Sequence, residues 1–355
     1  MTPRERALRV LTRQEADRIA IDFDIAPDPS IIQRVSAALG TSDKEAMLRA
    51  LHVDFRNSVV YTSAAIPPAP YDERHRINAW GALVDIQLGT AVGHPLAEAM
   101  TIAEAERYRY LDPDDVDYAA IAKAASGHDA YCVYGGYWAP ITYIAQMLFG
   151  MDRYMLLLYD DPDLLGYVLD RITDISITIN KRIFRLLGKK MQVFFMGDDY
   201  GTQQDLLTSA DQWRSHVKPR LQRIIDVARD AGYLVQFHSC GSIAALIADF
   251  AEMGVTCLNP MQVAARGMDP VSLKTRYGSI MSFNGGIDTQ DLLPFGSADA
   301  VREAVRRTLE IMSPGGGYVL GPSQSFLPEV PTENILAIYQ AAEAFVRSSA
   351  SHAPS

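Results

Sequence analysis

The chain has 355 residues, 48% of them hydrophobic, and carries 33 basic against 43 acidic side chains for a net charge of −10. That apolar fraction supplies a large core and excludes a disordered chain, while the acidic balance argues against a sequence-independent nucleic-acid binder. Three cysteines cannot build a disulfide framework, and their odd number fits a reducing compartment.

The first ten residues carry Arg4, Arg6 and Arg9 with no long apolar run behind them, and no stretch reaches the ~18 apolar residues of a membrane helix. A cytoplasmic protein engaging neither nucleic acid nor membrane is expected. Residues 18–23 and 131–134 read as strands, 141–158 and 164–187 as long helices, and Pro67, Pro68 and Pro70 as an extended loop. From residue 191 a rhythm sets in. Short apolar runs at 191–196, 234–237, 255–258, 279–283 and 317–320 alternate with helical stripes such as Leu221, Ile224, Ile225 and Ala228. Strand, polar loop, helix, strand is the pattern of parallel βα units, in a closed (β/α)₈ barrel or an open doubly wound sheet. No linker interrupts it. Residues 1–347 therefore read as one domain with an elaborated N-terminal helical region, and the polar 348–355 as a frayed tail.

In parallel α/β folds the chemistry collects at the C-terminal ends of the strands. Those positions hold Asp198, Asp199 and Gln203, then His238 and Cys240, then Gln262, then Asn284 and Asp288, then Gln324. His238 and Cys240, two residues apart on extended chain, point the same way and suit a borderline-soft ion such as zinc. A hydrogen-bonded histidine beside a buried cysteine is the alternative. Asp198 and Asp199 offer a general base, a metal ligand or a substrate clamp, and a loop cap is the plainer reading. Tyr134 and Trp138 belong to an aromatic run suited to an apolar pocket or to the core. No Gly-x-Gly-x-x-Gly, P-loop, His-Glu-x-x-His or Gly-x-Ser-x-Gly is present, which removes the usual support for dinucleotide, nucleoside-triphosphate and serine-hydrolase chemistry.

Taken together, several segments resemble the uroporphyrinogen decarboxylase superfamily, in its branch of cobalamin-dependent methyltransferases and O-demethylases. They are Arg4-Glu5-Arg6, Asp17-Arg18, Trp80-Gly81, His94-Pro95-Leu96, Asp112-Pro113-Asp114, Asp198-Asp199-x-Gly201-x-Gln203, His238-x-Cys240-Gly241, Asn259-Pro260-x-Gln262, Gly285-Gly286-Ile287-Asp288 and Val330-Pro331-x-Glu333-Asn334. The resemblance spans nearly the whole chain and implies a (β/α)₈ barrel with zinc at its mouth, held by His238, Cys240 and a later cysteine. That later position falls on Gln324, a departure, because an amide oxygen is a poor substitute for a thiolate. Asp199 or, less readily, Cys257 would then complete the site.

The implied activity is methyl transfer between a small O-, N- or S-methylated substrate and a corrinoid carried on a partner protein. Zinc would either activate a thiol substrate or act as a Lewis acid on the methylated heteroatom, the second being preferred here. Asp198 or Asp199 would position or deprotonate substrate, Gln262 and Asn284 would orient it with Gln203 and Asp288, and Tyr134 and Trp138 would contact its apolar part. Gln236-x-His238-x-x-Gly241 departs from the corrinoid-binding Asp-x-His-x-x-Gly, so the corrinoid is not expected within this chain. The competing readings are a metal-independent decarboxylase of a uroporphyrinogen-like or other carboxylate, and a non-catalytic ligand-binding barrel. The reading leaves a homodimer open.

Overall fold

The computed structural model describes residues 1–23, 27–61, 66–138 and 140–351. In chain order its strands are β1 (Ala20–Ile21), β2 (Phe55–Tyr61), β3 (Ala69–Pro70), β4 (His75–Ile77), β5 (Leu83–Asp85), β6 (Thr90–Gly93), β7 (Cys132–Trp138), β8 (Val193–Gly197), β9 (Leu234–His238), β10 (Cys257–Met261), β11 (Ser282–Ile287) and β12 (Tyr318–Pro322). Eight of them form one parallel sheet in the order β1-β12-β11-β10-β9-β8-β7-β2. The two edges meet where the Asp54 N–H donates to the Ile21 carbonyl at 2.8 Å and the Asp54 carboxylate accepts the Ile21 N–H at 2.9 Å. The result is a (β/α)₈ barrel.

Asp54 is fully buried and holds this seam with Arg6 at 2.7 Å and Arg18 at 2.8 Å, while Arg6 also bonds Asp17 at 2.6 Å. Burial pushes the Asp54 carboxyl up, against the pull of both guanidiniums. The Arg4-Glu5-Arg6 and Asp17-Arg18 segments are thus explained by closure of the barrel. The helix Pro3–Leu11, started by a reciprocal Thr2/Glu5 cap, plugs the N-terminal end. Its Ala7, Val10 and Leu11 pack on the inward-facing Ala20, Phe55, Cys132, Tyr134, Val193, Phe195, Cys257 and Val319.

Strand alternation sets which residues face the interior. In β8, Val193 and Phe195 point inward, while Phe194 and Met196 pack outward under the helices; all four are buried. Burial on both faces is what parallel strands sheathed by helices require, and it explains their nearly continuous apolar runs. The helix Pro162–Leu187 starts at a side-chain cap, the Asp161 carboxylate accepting the Leu164 N–H at 3.0 Å, and buries Leu165, Leu169, Ile172 and Ile179 against the sheet.

Four features differ from the sequence reading. The N-terminal elaboration is partly β: β3–β6 form an antiparallel sheet where the proline-rich stretch reads as a loop. Strands of two to four residues, none fully buried, leave no alternation to detect. β2 went unseen because Arg56 breaks its apolar pattern; that arginine is buried and paired with Glu45 at 2.7 Å. The helical stretch at 141–158 is two helices, Ile141–Phe149 and Met151–Asp160, separated at Gly150, whose φ of 87° and contact with the His94 ring do not suit a side chain. Residues 348–351 continue the helix Thr332–Ser351, anchored by the buried Ile335, Ile338 and Ala342, whereas 352–355 lie outside the described residues. No helix among the described residues is long and apolar enough to cross a membrane.

Candidate metal centre at the barrel mouth

β8, β9 and β10 end side by side, with Gly197 in register with His238 and His238 with Asn259. Gly197 allows this crowding: a Cβ there would lie 2.3 Å from the His238 carbonyl oxygen and 2.6 Å from the Trp138 ring. Beyond the strands, the loops after β8 and β9 pack backbone to backbone. Gly241, at φ 86°, leaves no space for a Cβ beside Gly201, and the Ser242 N–H donates to the Thr202 carbonyl at 2.7 Å. This contact places Asp199 over the His238–Cys240 turn, where its Oδ1 accepts the Cys240 N–H at 2.8 Å.

Three donor atoms of different chemistry converge there. His238 Nε2 lies 3.3 Å from Cys240 Sγ and 3.7 Å from Asp199 Oδ1, and the three residues offer ligand atoms all within 4.8 Å of one another. Tetrahedral zinc with ordinary bond lengths separates a bound nitrogen from a sulfur by about 3.6 Å and from an oxygen by about 3.3 Å. The donor set fits such an ion. His238 Nδ1 donates to Asn259 Oδ1 at 2.7 Å, which leaves the Nε2 lone pair directed at the cluster, the arrangement of a metal-binding imidazole. Burial, reinforced by the Asp199 charge, pushes the Cys240 thiol up, so a cation is what would favour its thiolate form.

The remaining candidates separate clearly. Asp198 turns away from its neighbour: its buried carboxylate accepts the Thr142 N–H (2.6 Å), the Thr142 hydroxyl (2.7 Å) and the Tyr143 N–H (3.2 Å). It caps the helix Ile141–Phe149 from another loop, and burial raises its carboxyl to about 7. In this arrangement Asp198 bonds to the helix after β7, whereas Asp199 faces His238 and Cys240. Gln324 reaches the cluster, but its amide nitrogen donates to Cys240 Sγ at 2.9 Å and its oxygen accepts the Ser325 N–H at 2.9 Å. As placed, it holds the sulfur rather than offering a ligand oxygen. Cys257 faces the lower barrel interior with Ala7 and Val10, away from the mouth, which removes it as a ligand.

Gln262 is a support as well: its oxygen accepts the Gly241 N–H at 2.7 Å and fixes the turn carrying Cys240. Asp288 accepts the N–H groups of Gln290, Asp291 and Leu292 at 3.0–3.1 Å and so organises the turn that follows it. Gln203 is exposed and borders, with Cys240, Gln262, Gln290, Phe295 and Gln324, a cleft of about 460 Å³. Trp138 sets its ring edge-on to His238 at 5.3 Å and stacks on Phe195 at 5.3 Å. It also borders a second cleft of about 630 Å³ that reaches the β3–β6 sheet through Trp80 and Met147. Tyr134 and Asn284 lie deeper, buried inside the barrel, where both bond Asp22 at 3.0 Å and each other at 3.1 Å.

The sequence reading missed Asn259 as the orienting partner of His238 and the whole of Asp22. Asn259 carried a signal, since it follows an apolar run like the other polar strand ends; Asp22 emerges only once β1 is seen beside β12.

Comparison with known proteins agrees with this architecture. Residues 76–345 match the family model described as Uroporphyrinogen decarboxylase (URO-D). A protein named uroporphyrinogen decarboxylase from Syntrophotalea carbinolica is 29% identical over 247 residues, covering 66% of this chain and 67% of that one. Among solved structures, a methyltransferase from Methanosarcina mazei shares the fold with a TM-score of 0.67 at 20% identity, over 97% of this chain and 99% of its own. Matched along most of its length and built on the same barrel, the chain belongs to the uroporphyrinogen decarboxylase (URO-D) family.

Proposed function

We propose that this protein is a zinc-assisted methyltransferase that moves a methyl group between a small O-, N- or S-methylated substrate and a corrinoid on a partner protein. The observation that carries the reading is the convergence of Asp199, His238 and Cys240 with His238 oriented by Asn259. Held by these residues, zinc supplies a Lewis acid for the heteroatom that bears the methyl group. The named methyltransferase of the same fold supports the reading as a likeness of architecture.

The chain's own groups have distinct tasks in this account. Cys240 and His238 bind, and Asp199 completes the set in place of the Gln324 position. Gln262 and Asn259 hold the binding turn rigid, the condition for precise first contacts. Trp138 walls the centre and keeps water from one side of it. Asp198 ties the loop after β8 to the helix after β7, so the mouth does not splay.

Decarboxylation of a carboxylate substrate is the second reading, favoured by the named relative. The cleft beside Cys240 weighs against it: among the described residues lining it there is no lysine or arginine to meet a carboxylate, and Glu329 adds a negative charge. The two are separated by incubating the zinc-loaded protein with methylated phenols, amines and thioethers plus reduced cobalamin, and with uroporphyrinogen alone. A change in the cobalamin spectrum that depends on Cys240 supports methyl transfer. Carbon dioxide release that survives Cys240→Ala overturns it.

A further inference from the structure

At the end of the barrel where the strands begin, opposite the mouth, lies a cleft of about 1110 Å³. One wall is the outer stripe of the helix Pro3–Leu11, where Arg4 and Leu8 stand one turn apart; the inner stripe is the plug. The facing wall is the end of the helix Pro162–Leu187 and the turn after it. Lys181, Arg185 and Lys189 follow one another there at four-residue spacing and all border the cleft, with Phe184 between them. Val227, Met191 and Leu234, the last two at the starts of β8 and β9, make an apolar floor. Four cations thus meet a single lining carboxylate, Asp230, on a chain whose net charge is −10.

None of the four cations is ion-paired with a described residue, whereas Arg6, two positions from Arg4, is held by Asp17 and Asp54. Capping of helix ends does not account for them. The carbonyls of Phe184 and Gly188 accept the Tyr233 hydroxyl, at 3.2 and 2.9 Å. Arg4 sits in the first turn of its helix, where the backbone dipole disfavours a cation. Its Nε donates to the Tyr131 carbonyl at 3.1 Å, which fixes the side chain at the rim of the cleft.

We propose that this cleft is a second ligand site, separate from the barrel mouth, and that it takes a small amphipathic anion: a carboxylate on an extended apolar body. The excess of unpaired positive charge sets the sign of the head group. The floor sets the body, because Leu8, Val227 and Leu234 are half-buried and lose water only under an apolar ligand. The volume stands at the upper end of small-ligand clefts, about 300–1,000 Å³, which leaves room for a chain rather than a compact ion. Leu234 lies four residues before His238, about 13 Å along β9, so a ligand here touches none of the three donors at the mouth. The site therefore stands or falls independently of methyl transfer.

The test is calorimetric titration of the full-length protein with decanoate, kept below micelle formation, beside acetate and decyltrimethylammonium at the same ionic strength. Decanoate should bind, the cation of equal chain length at least about tenfold more weakly, and acetate without measurable heat. Lys181→Gln combined with Arg185→Gln, both at exposed positions, should weaken decanoate about five- to tenfold. Ala231→Glu, which sets a carboxylate on the cleft, should act in the same direction. Lys190→Gln removes an exposed charge outside the cleft, and Cys240→Ala alters only the mouth, so both should stay within about twofold of wild type. No binding of decanoate, equal binding of the cation, or full affinity in the double variant overturns the proposal. Equal weakening in Lys190→Gln assigns the effect to net charge and overturns it, and loss in Cys240→Ala overturns it by placing the ligand at the mouth. A wild type that binds no decanoate but sediments as a dimer, dissociated by the double variant, overturns it in favour of a second copy of the chain.

Discussion

Replacing Asn259 with alanine isolates the orientation of His238 from the identity of the ligands. The Asn259 amide oxygen sits 2.7 Å from Nδ1 and is 8% exposed, so no solvent molecule takes its place at full strength. Without it the imidazole is free to change tautomer and to rotate toward the space the amide leaves. Outer partners of this kind are worth about 10–100-fold in metal affinity, equivalent to about 1.4–2.7 kcal/mol. The assay is zinc competition against a chromophoric chelator at neutral pH, with a denaturation curve on the same sample to show that the variant is folded. Asn259→Ala should weaken zinc by a factor in that range, and Asn259→Asp, which keeps an acceptor at the same place, should not. An alanine variant that is folded and binds zinc within twofold of wild type would refute the orienting role.

Three further outcomes are expected. Asp54→Ala should cost about 3–5 kcal/mol of stability, because it leaves Arg6 and Arg18 without their buried partner and opens the β1–β2 seam; a denaturation curve showing less than about 1 kcal/mol would contradict that. Asp198 has a folded-state pKa raised to about 7, so between about pH 4 and 7 the native protein binds the extra proton and stability rises as pH falls. Relative to Asp198→Asn in metal-stripped samples, the wild type should gain a few kcal/mol across that window and nothing above it, and parallel pH profiles would show that the carboxyl does not titrate there. Gly197→Ala drives a Cβ into the His238 backbone and the Trp138 ring, so it should cost about 1–3 kcal/mol and weaken zinc together; calorimetry and metal analysis both unchanged would disprove the crowding argument.

His238 and Cys240 were legible in the sequence because the period of two along an extended chain is short-range geometry. The barrel was legible for the same reason, its later strands being clean apolar runs. What separates Asp198 from Asp199 was not: neighbouring residues leaving a strand turn in opposite directions, and the groups that claim Asp198 lie 56 positions earlier, at Thr142. Asp288 could have been recognised from its place just before the helix Leu292–Phe295, where an aspartate accepts N–H groups of the following turn. Gln324 was identified as the departure from the superfamily pattern, but its contact with the Cys240 sulfur depends on how β12 ends beside the earlier strands. Gln236 entered as a mismatch to a corrinoid motif; its burial with no partner is a property of the closed barrel alone.

Metal analysis of the purified protein, with alanine at each donor, tests the central claim most directly. The account predicts about one zinc ion per chain after reconstitution, lost or much weakened in Asp199→Ala, His238→Ala and Cys240→Ala and retained in Gln324→Ala and Cys257→Ala. Folded wild-type protein that takes up no zinc at neutral pH, or uptake that survives loss of both His238 and Cys240, would contradict it.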